Sequence, residues 1–191
     1  LLVDNAVEVF QKIFDEADDR TKRQALLDAQ TDCFEKGLTM VCDAGLDVGT
    51  IMLIKKMQEE GVLKMRVYAM VADKPENLDH FAQHGAIATD RLWVRSVKVY
   101  GDGALGSRGA LLKEPYADVD SAHHGLLLKD RPHMMAVAQW CMDHGFQMAT
   151  HCIGDSADRF MLEVYAEMLK GTNDKRWRIE HAQCMDPQDF R

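Results

Sequence analysis

His151 ends the run Gln147-Met148-Ala149-Thr150, and His181 ends Trp177-Arg178-Ile179-Glu180 one β-α unit later. If both runs are strands of a barrel, two imidazoles stand at neighbouring strand tips, and neutral imidazole is a good ligand for a divalent metal. Lys98 lies in the run Leu92 to Tyr100, where Val97 and Val99 share one face and Ser96 and Lys98 the other. With the valines on helices, Lys98 points to the second side of the sheet or into a barrel interior, and a buried lysine needs a partner. An ion pair with Asp43 or Asp102 would supply one, and a catalytic or metal-bridging role would explain it equally. Asp43, Asp102, Asp155 and Glu180 also stand at or just past strand ends, where α/β proteins keep their chemistry. Simple alternation puts His181 on the face of Trp177 and Ile179, so a bulge or twist is expected close to it.

Other candidates carry less. Gly101-Asp102-Gly103-Ala104-Leu105-Gly106 matches G-x-G-x-x-G after a strand, the pattern of a dinucleotide-binding turn. That chemistry needs a helix to open at once towards the pyrophosphate, and Ser107-Arg108-Gly109 and Pro115 interrupt the next stretch of chain. His80 and His84 have i, i+4 spacing without the Glu of H-E-x-x-H, and His123-His124 lie in a polar loop. Cys152 has the opposite strand parity from His151, which reads as ordinary burial, and the 12 methionines suit core filling.

The elements that position these residues alternate. Val7, Phe10, Ile13 and Phe14 recur at helical spacing behind Asp4 and Asn5, and Leu26, Ala29 and Cys33 repeat the pattern behind Thr21 up to Gly37. Thr39 to Cys42 reads as a strand, Asp47 caps a helix with Ile51, Ile54 and Met57, and Val62 to Val71 is the next strand. Pro75 opens a short helix ending at Gly85, and Leu92 to Tyr100 is a strand. Residues 101 to 130 form a long loop, Pro132 starts a helix, Phe146 to Thr150 is a strand, Asp155 precedes a helix, and Trp177 to Ile179 is the last strand. Five strands separated by helices predict an α/β fold, a doubly wound sheet or part of a (β/α)8 barrel.

The 191 residues hold 23 Lys and Arg against 31 Asp and Glu, a net charge of −8, which argues against a nucleic-acid partner. No apolar run approaches the roughly 20 residues of a membrane span. Five widely spaced cysteines without a C-x-x-C pair predict no disulfide scaffold and a reducing, cytoplasmic setting. The opening Leu1-Leu2-Val3-Asp4 and the stop at Arg191 lead us to expect a piece cut from a longer protein.

Three segments together resemble the amidohydrolase superfamily, and within it the branch called amidohydrolase family 3. They are Lys98-Val99-Tyr100-Gly101-Asp102-Gly103-Ala104-Leu105-Gly106-Ser107-Arg108-Gly109-Ala110, His151-Cys152-Ile153-Gly154-Asp155 and Arg178-Ile179-Glu180-His181-Ala182-Gln183. Pro115-Tyr116, Gly37-Leu38-Thr39 and Asp43-Ala44-Gly45 add to the likeness. The resemblance implies a TIM-type (β/α)8 barrel with these motifs on strands four, five and six and Thr39 to Ala44 on the second. It implies that Lys98 occupies the place of a lysine that CO2 can carboxylate to bridge two metals, with His151 and His181 at the ligand histidines. The implied cofactor is one or two divalent ions, zinc above all, which lower the pKa of water towards about 7 and polarise a carbonyl. Asp155 and Glu180 would orient imidazoles or loops, and Arg108 would meet a polar group of a small amide-type substrate. The family's first-strand His-x-His has no counterpart here, nor does its eighth-strand aspartate. The expectation is therefore that residues 1–191 are part of a single catalytic barrel domain, about strands 2 to 6, inactive alone and prone to self-association through open edges. Two readings from other classes remain open, a nucleotide-binding domain using Gly101 to Gly106 and a non-catalytic scaffold.

Overall fold

Short acidic side chains set where the helices begin. Asp18 accepts from the Thr21 backbone N–H and Asp47 from that of Thr50, each at 2.8 Å, opening α1 (Asp19–Glu35) and α2 (Val48–Glu59). The computed structural model describes residues 17–119 and 122–190. The helix expected over Val7 to Phe14 lies outside the described residues. Described residues up to Lys98 form one compact unit and those from Val99 onward another.

In the first unit β1 (Met40–Leu46) pairs in parallel with β2 (Arg66–Ala72), which pairs in parallel with β4 (Leu92–Tyr100). A two-residue β3 (Ile87–Ala88) lies antiparallel on β4, and α3 (Pro75–His84) precedes it. Ile51, Ile54 and Met57 of α2 and Phe81 of α3 are buried with Val67, Ala69, Val71, Val94 and Val97 of the strands. Each of these side chains larger than alanine contributes roughly 1.5–3 kcal/mol by leaving water. Ser96 to Val99 are buried without interruption, as befits a parallel strand covered on both faces.

The second unit holds α4 (Arg131–His144), β5 (Gln147–Cys152), α5 (Asp155–Met168) and β6 (Arg178–His181), with β5 and β6 parallel. Asp130 caps α4 through the His133 N–H, so that helix starts at Arg131, one residue ahead of Pro132. The Tyr165 hydroxyl lies 2.8 Å from Thr150 Oγ1 and donates to Arg178 O at 2.9 Å, fastening α5 to both strands. Between β4 and α4 the chain runs through turns, held by a small core of Ala110, Tyr116 and Ile153. The β-α alternation with parallel pairing is that of part of a TIM-type barrel, as the sequence predicts.

Several boundaries differ from expectation. β2 begins at Arg66 rather than Val62, because Val62 and Leu63 donate to Met57 O at 3.1 Å and so belong to the exit of α2. β1 runs on to Leu46, with a register shift between Ala44 and Leu46 that carries the pairing past Gly45. Trp177 precedes β6: its ring packs edge-on against Tyr165 at 5.3 Å and its Nε1 donates to Phe146 O.

Candidate metal centre

His151 lies in β5 and His181 ends β6, and the register Cys152↔His181 sets the two strand tips side by side. Their imidazoles meet edge to face with ring centroids 4.7 Å apart. The parity conflict at His181 is resolved in the backbone: His181 has φ 78° and Ala182 φ 44°, both left-handed. Non-glycine residues adopt that conformation at a cost of about 1–3 kcal/mol each, and such strain collects at functional sites. Ala182 N donating to Cys152 O and Cys184 N donating to Ile153 O, at 3.0 and 2.9 Å, hold the turn in place. Tyr100, at the end of β4, sets its ring 5.5 Å from that of His151.

Asp102 enters the sequence reading only as a strand-end acid and as one of two ion-pair partners offered to Lys98. Its carboxyl is fully buried and accepts three backbone N–H bonds, from Leu111 at 2.9 Å, Ile153 at 2.9 Å and Gly154 at 2.8 Å. Burial pushes its pKa up, opposed by those N–H groups and by the nearby His151. His151 Nε2 stands 3.5 Å from Asp102 Oδ1 and 3.4 Å from Gly103 O. The close approach needs two glycines. A Cβ on Gly101 would come within 2.9 Å of Cys152 Sγ, and one on Gly154 within 2.0 Å of Leu111 O.

That accounts for the first glycine of the Gly-rich run, Gly101, without a nucleotide. No helix opens behind Gly106, for the chain from Ser107 to Asp130 is non-helical among the described residues, so the dinucleotide reading lacks its anion-binding N-terminus. Gly101 is there to let the end of β4 touch β5, and Gly101 N donates to His151 O at 2.8 Å.

The other candidates occupy separate places. Lys98 is 2% exposed on β4, in register with Ala72, in the first unit. Asp155, the first residue of α5, accepts from Lys113 N at 2.8 Å and so holds the long loop. Glu180 accepts from Arg178 Nε at 2.7 Å. Arg108 is exposed and ion-paired with Asp118 at 3.0 Å, again with a left-handed backbone at φ 60°. Asp43 is exposed on β1.

Among the described residues, no three His, Cys, Asp or Glu side chains are grouped for a metal. Zinc sites use three or four protein ligands, so the two imidazoles by themselves are fewer donors than such a site needs. No helix of the described residues is long and apolar enough to cross a membrane.

Comparison with known proteins bears on this arrangement. Residues 1–191 match the model of the Amidohydrolase family. The chain is 30% identical over 191 residues to YtcJ of Bacillus subtilis (strain 168), a protein named as a putative amidohydrolase, and the match covers 97% of this chain and 35% of that protein. It is 28% identical over 201 residues to the protein LONG AFTER FAR-RED 3 of Arabidopsis thaliana, over 98% of this chain and 34% of the relative. Among solved structures it superposes on an uncharacterized metal-dependent hydrolase from Pyrococcus furiosus with a TM-score of 0.85 and 28% identity, over 97% of this chain and 39% of that one. A second, from Pyrococcus horikoshii, gives a TM-score of 0.78 and 27% identity over 86% and 34%. The chain thus spans about a third of the length of the curated relatives it matches.

Proposed function

Because this chain belongs to the amidohydrolase family over residues 1–191, we propose that it is the strand-two-to-six portion of a metal-dependent hydrolase that cleaves an amide-type C–N bond other than a peptide bond. The observation that carries the reading is the pair His151 and His181, rings 4.7 Å apart at the tips of adjacent parallel strands. In this reading the two imidazoles donate nitrogen lone pairs to one or two divalent ions, with zinc as the ion their chemistry suits best. Lys98, carboxylated by CO2 to an anionic carbamate, is the third ligand. When bound, such an ion supplies Lewis acidity, activating water and polarising the carbonyl under attack. The protein's own groups do the rest. Asp155 fixes the loop through Lys113, Glu180 is steered by Arg178, and Arg108 stands in that loop to meet a polar group of a small amide-type substrate.

The 191 residues alone hydrolyse nothing and bind metal weakly, because the ligands of a first-strand His-x-His and an eighth-strand aspartate are not among them. Zinc titration of the isolated chain should show weak binding that His151→Ala and His181→Ala each abolish. Binding that survives both substitutions refutes the pair as ligands. In the longer protein, Lys98→Ala should remove metal and amide hydrolysis together, and retention of both refutes the lysine's role. An intact protein that carries no metal at all would point instead to a scaffold.

A further inference from the structure

β4 carries one residue more than its neighbour can pair. Ala69 of β2 is in register with Val94 and Met70 with Ser96, so Arg95 is an extra residue, a bulge. Tyr68, Met70 and Ala72 alternate along one face of β2, and their partners Trp93, Ser96 and Lys98 share it. Arg95 joins them there, with its guanidinium carbon 6.0 Å from the centre of the Trp93 ring. The opposite face holds Val67, Ala69, Val94 and Val97, which are buried with α2 and α3. Arg95 is half-buried, yet among the described residues it makes no ion pair and no hydrogen bond. Ser96, fully buried next to it, has an Oγ with no hydrogen-bond partner among them either. Trp93 is 44% exposed and, with Arg66, Tyr68, Asp90 and Arg91, lines a cavity of about 310 Å³. Three arginines against one aspartate make this patch positive in a chain whose net charge is −8.

We propose that this face of β4 receives an acidic strand of the longer protein, whose Asp or Glu closes on the Arg95 guanidinium inside the completed barrel. The chemistry selects a carboxylate. Its two oxygens match the guanidinium fork, whereas the carbonyls of neighbouring strands are spent in the ladder. A partly desolvated cation without an acceptor is costly, so a bulge that delivers one calls for a partner. The place selects a strand over a substrate. Arg95 lies in the N-terminal half of β4, where a barrel interior is packed with side chains, while substrates bind at the C-terminal strand ends. This chain spans about a third of the length of the curated relatives it matches, so the longer protein has chain enough to supply that strand. The proposal goes beyond the hydrolase reading and needs none of its ligands, for a metal-free scaffold would hold the same pair.

The test is thermal unfolding of the longer protein, unmodified and with Arg95→Met, at intervals from about pH 4 to about pH 8. Methionine keeps an apolar stem over Trp93 and removes the charge. At the alkaline end the variant leaves a buried carboxylate unpaired and should lose several degrees of Tm. As pH falls that orphan takes up a proton, because burial raises its pKa, and the gap in Tm should close at the acid end. Arg66, Asp90, Arg91 and Lys98, the charged groups on or beside this face, are common to both proteins and cancel in the difference. A gap that is absent, or the same at every pH, overturns the proposal. If Arg95→Met does not fold, Arg95→Lys must, since an ammonium can still pair, and failure of both overturns it. A crystal structure of the longer protein decides in every case. Arg95 held by a second copy or a bound small molecule, or with no carboxylate within about 4 Å, refutes the acidic strand.

Discussion

Asp158 should make the chain less stable as pH rises, and Asp158→Asn should cure it. The residue sits in the first turn of α5, fully buried, and neither carboxyl oxygen has a hydrogen-bond partner. Burial, and then the negative charges of Asp102, Asp155 and Asp189, push its pKa from the ordinary 3.8 to about 7. Between the two pKa values the folded chain holds a proton that the unfolded chain has released. Stability therefore falls as pH climbs from about 4 to about 7, and is flat in this respect above that. A gap of about 3 pH units at 1.36 kcal/mol each is about 4 kcal/mol. The N-terminus of α5 favours a negative charge, which offsets that by at most about 1 kcal/mol. For a domain stable by only about 5–15 kcal/mol the remainder is large. The assay is urea denaturation at intervals from pH 4 to pH 8 for both proteins. Carboxyls held below their ordinary range, such as Asp47 bonded by Thr50, tilt both curves alike and cancel in the difference. Asp158→Asn should match the unmodified chain near pH 4 and exceed it by about 3–4 kcal/mol at pH 8. Parallel curves, with a gap that does not change with pH, would refute the reasoning.

Two further substitutions test the loop. Gly154→Ala would drive a Cβ to 2.0 Å from Leu111 O, between two backbones that cannot both yield, so a loss of more than about 3 kcal/mol is expected in thermal unfolding. A variant of ordinary stability would show that the loop does not pack on the β5–α5 turn. Arg108→Ala breaks a solvent-exposed ion pair with Asp118 and should leave thermal unfolding essentially unchanged. A raised KM in the longer protein at unchanged Tm would assign the guanidinium to substrate, and unchanged kinetics would remove it from the site.

The sequence made the architecture legible because its signals are local. Asp47 before a 3.6-residue apolar repeat, Pro75 and Gly85 around a short amphipathic run, and valine-rich segments between them each report on their own few residues. β3 escaped because two residues have no period. The late start of β2 escaped because Val62 and Leu63 have strand-like side chains, while their N–H groups are claimed by Met57. The candidate site divides in the same way. Strand-end position marks His151 and His181 from sequence. Asp102 does not stand out, because its donors lie 9, 51 and 52 residues away and are backbone groups that carry no letter of their own.

The left-handed pair His181 and Ala182 was legible only as an irregularity: strand parity calls for a bulge or twist near His181, and neither residue is the glycine that would mark its place. In regular β geometry His181 would share the parity of Ile179, and the two imidazoles would have no reason to meet. A glycine at either position would make the same turn without strain. The chain instead carries a histidine and an alanine there, at φ 78° and 44°, locked by the bonds to Cys152 and Ile153. Strain of that kind persists only where surrounding bonds over-determine it. At position 181 a glycine would remove the imidazole along with the strain, so the backbone cost is the condition for having a second ring beside the first.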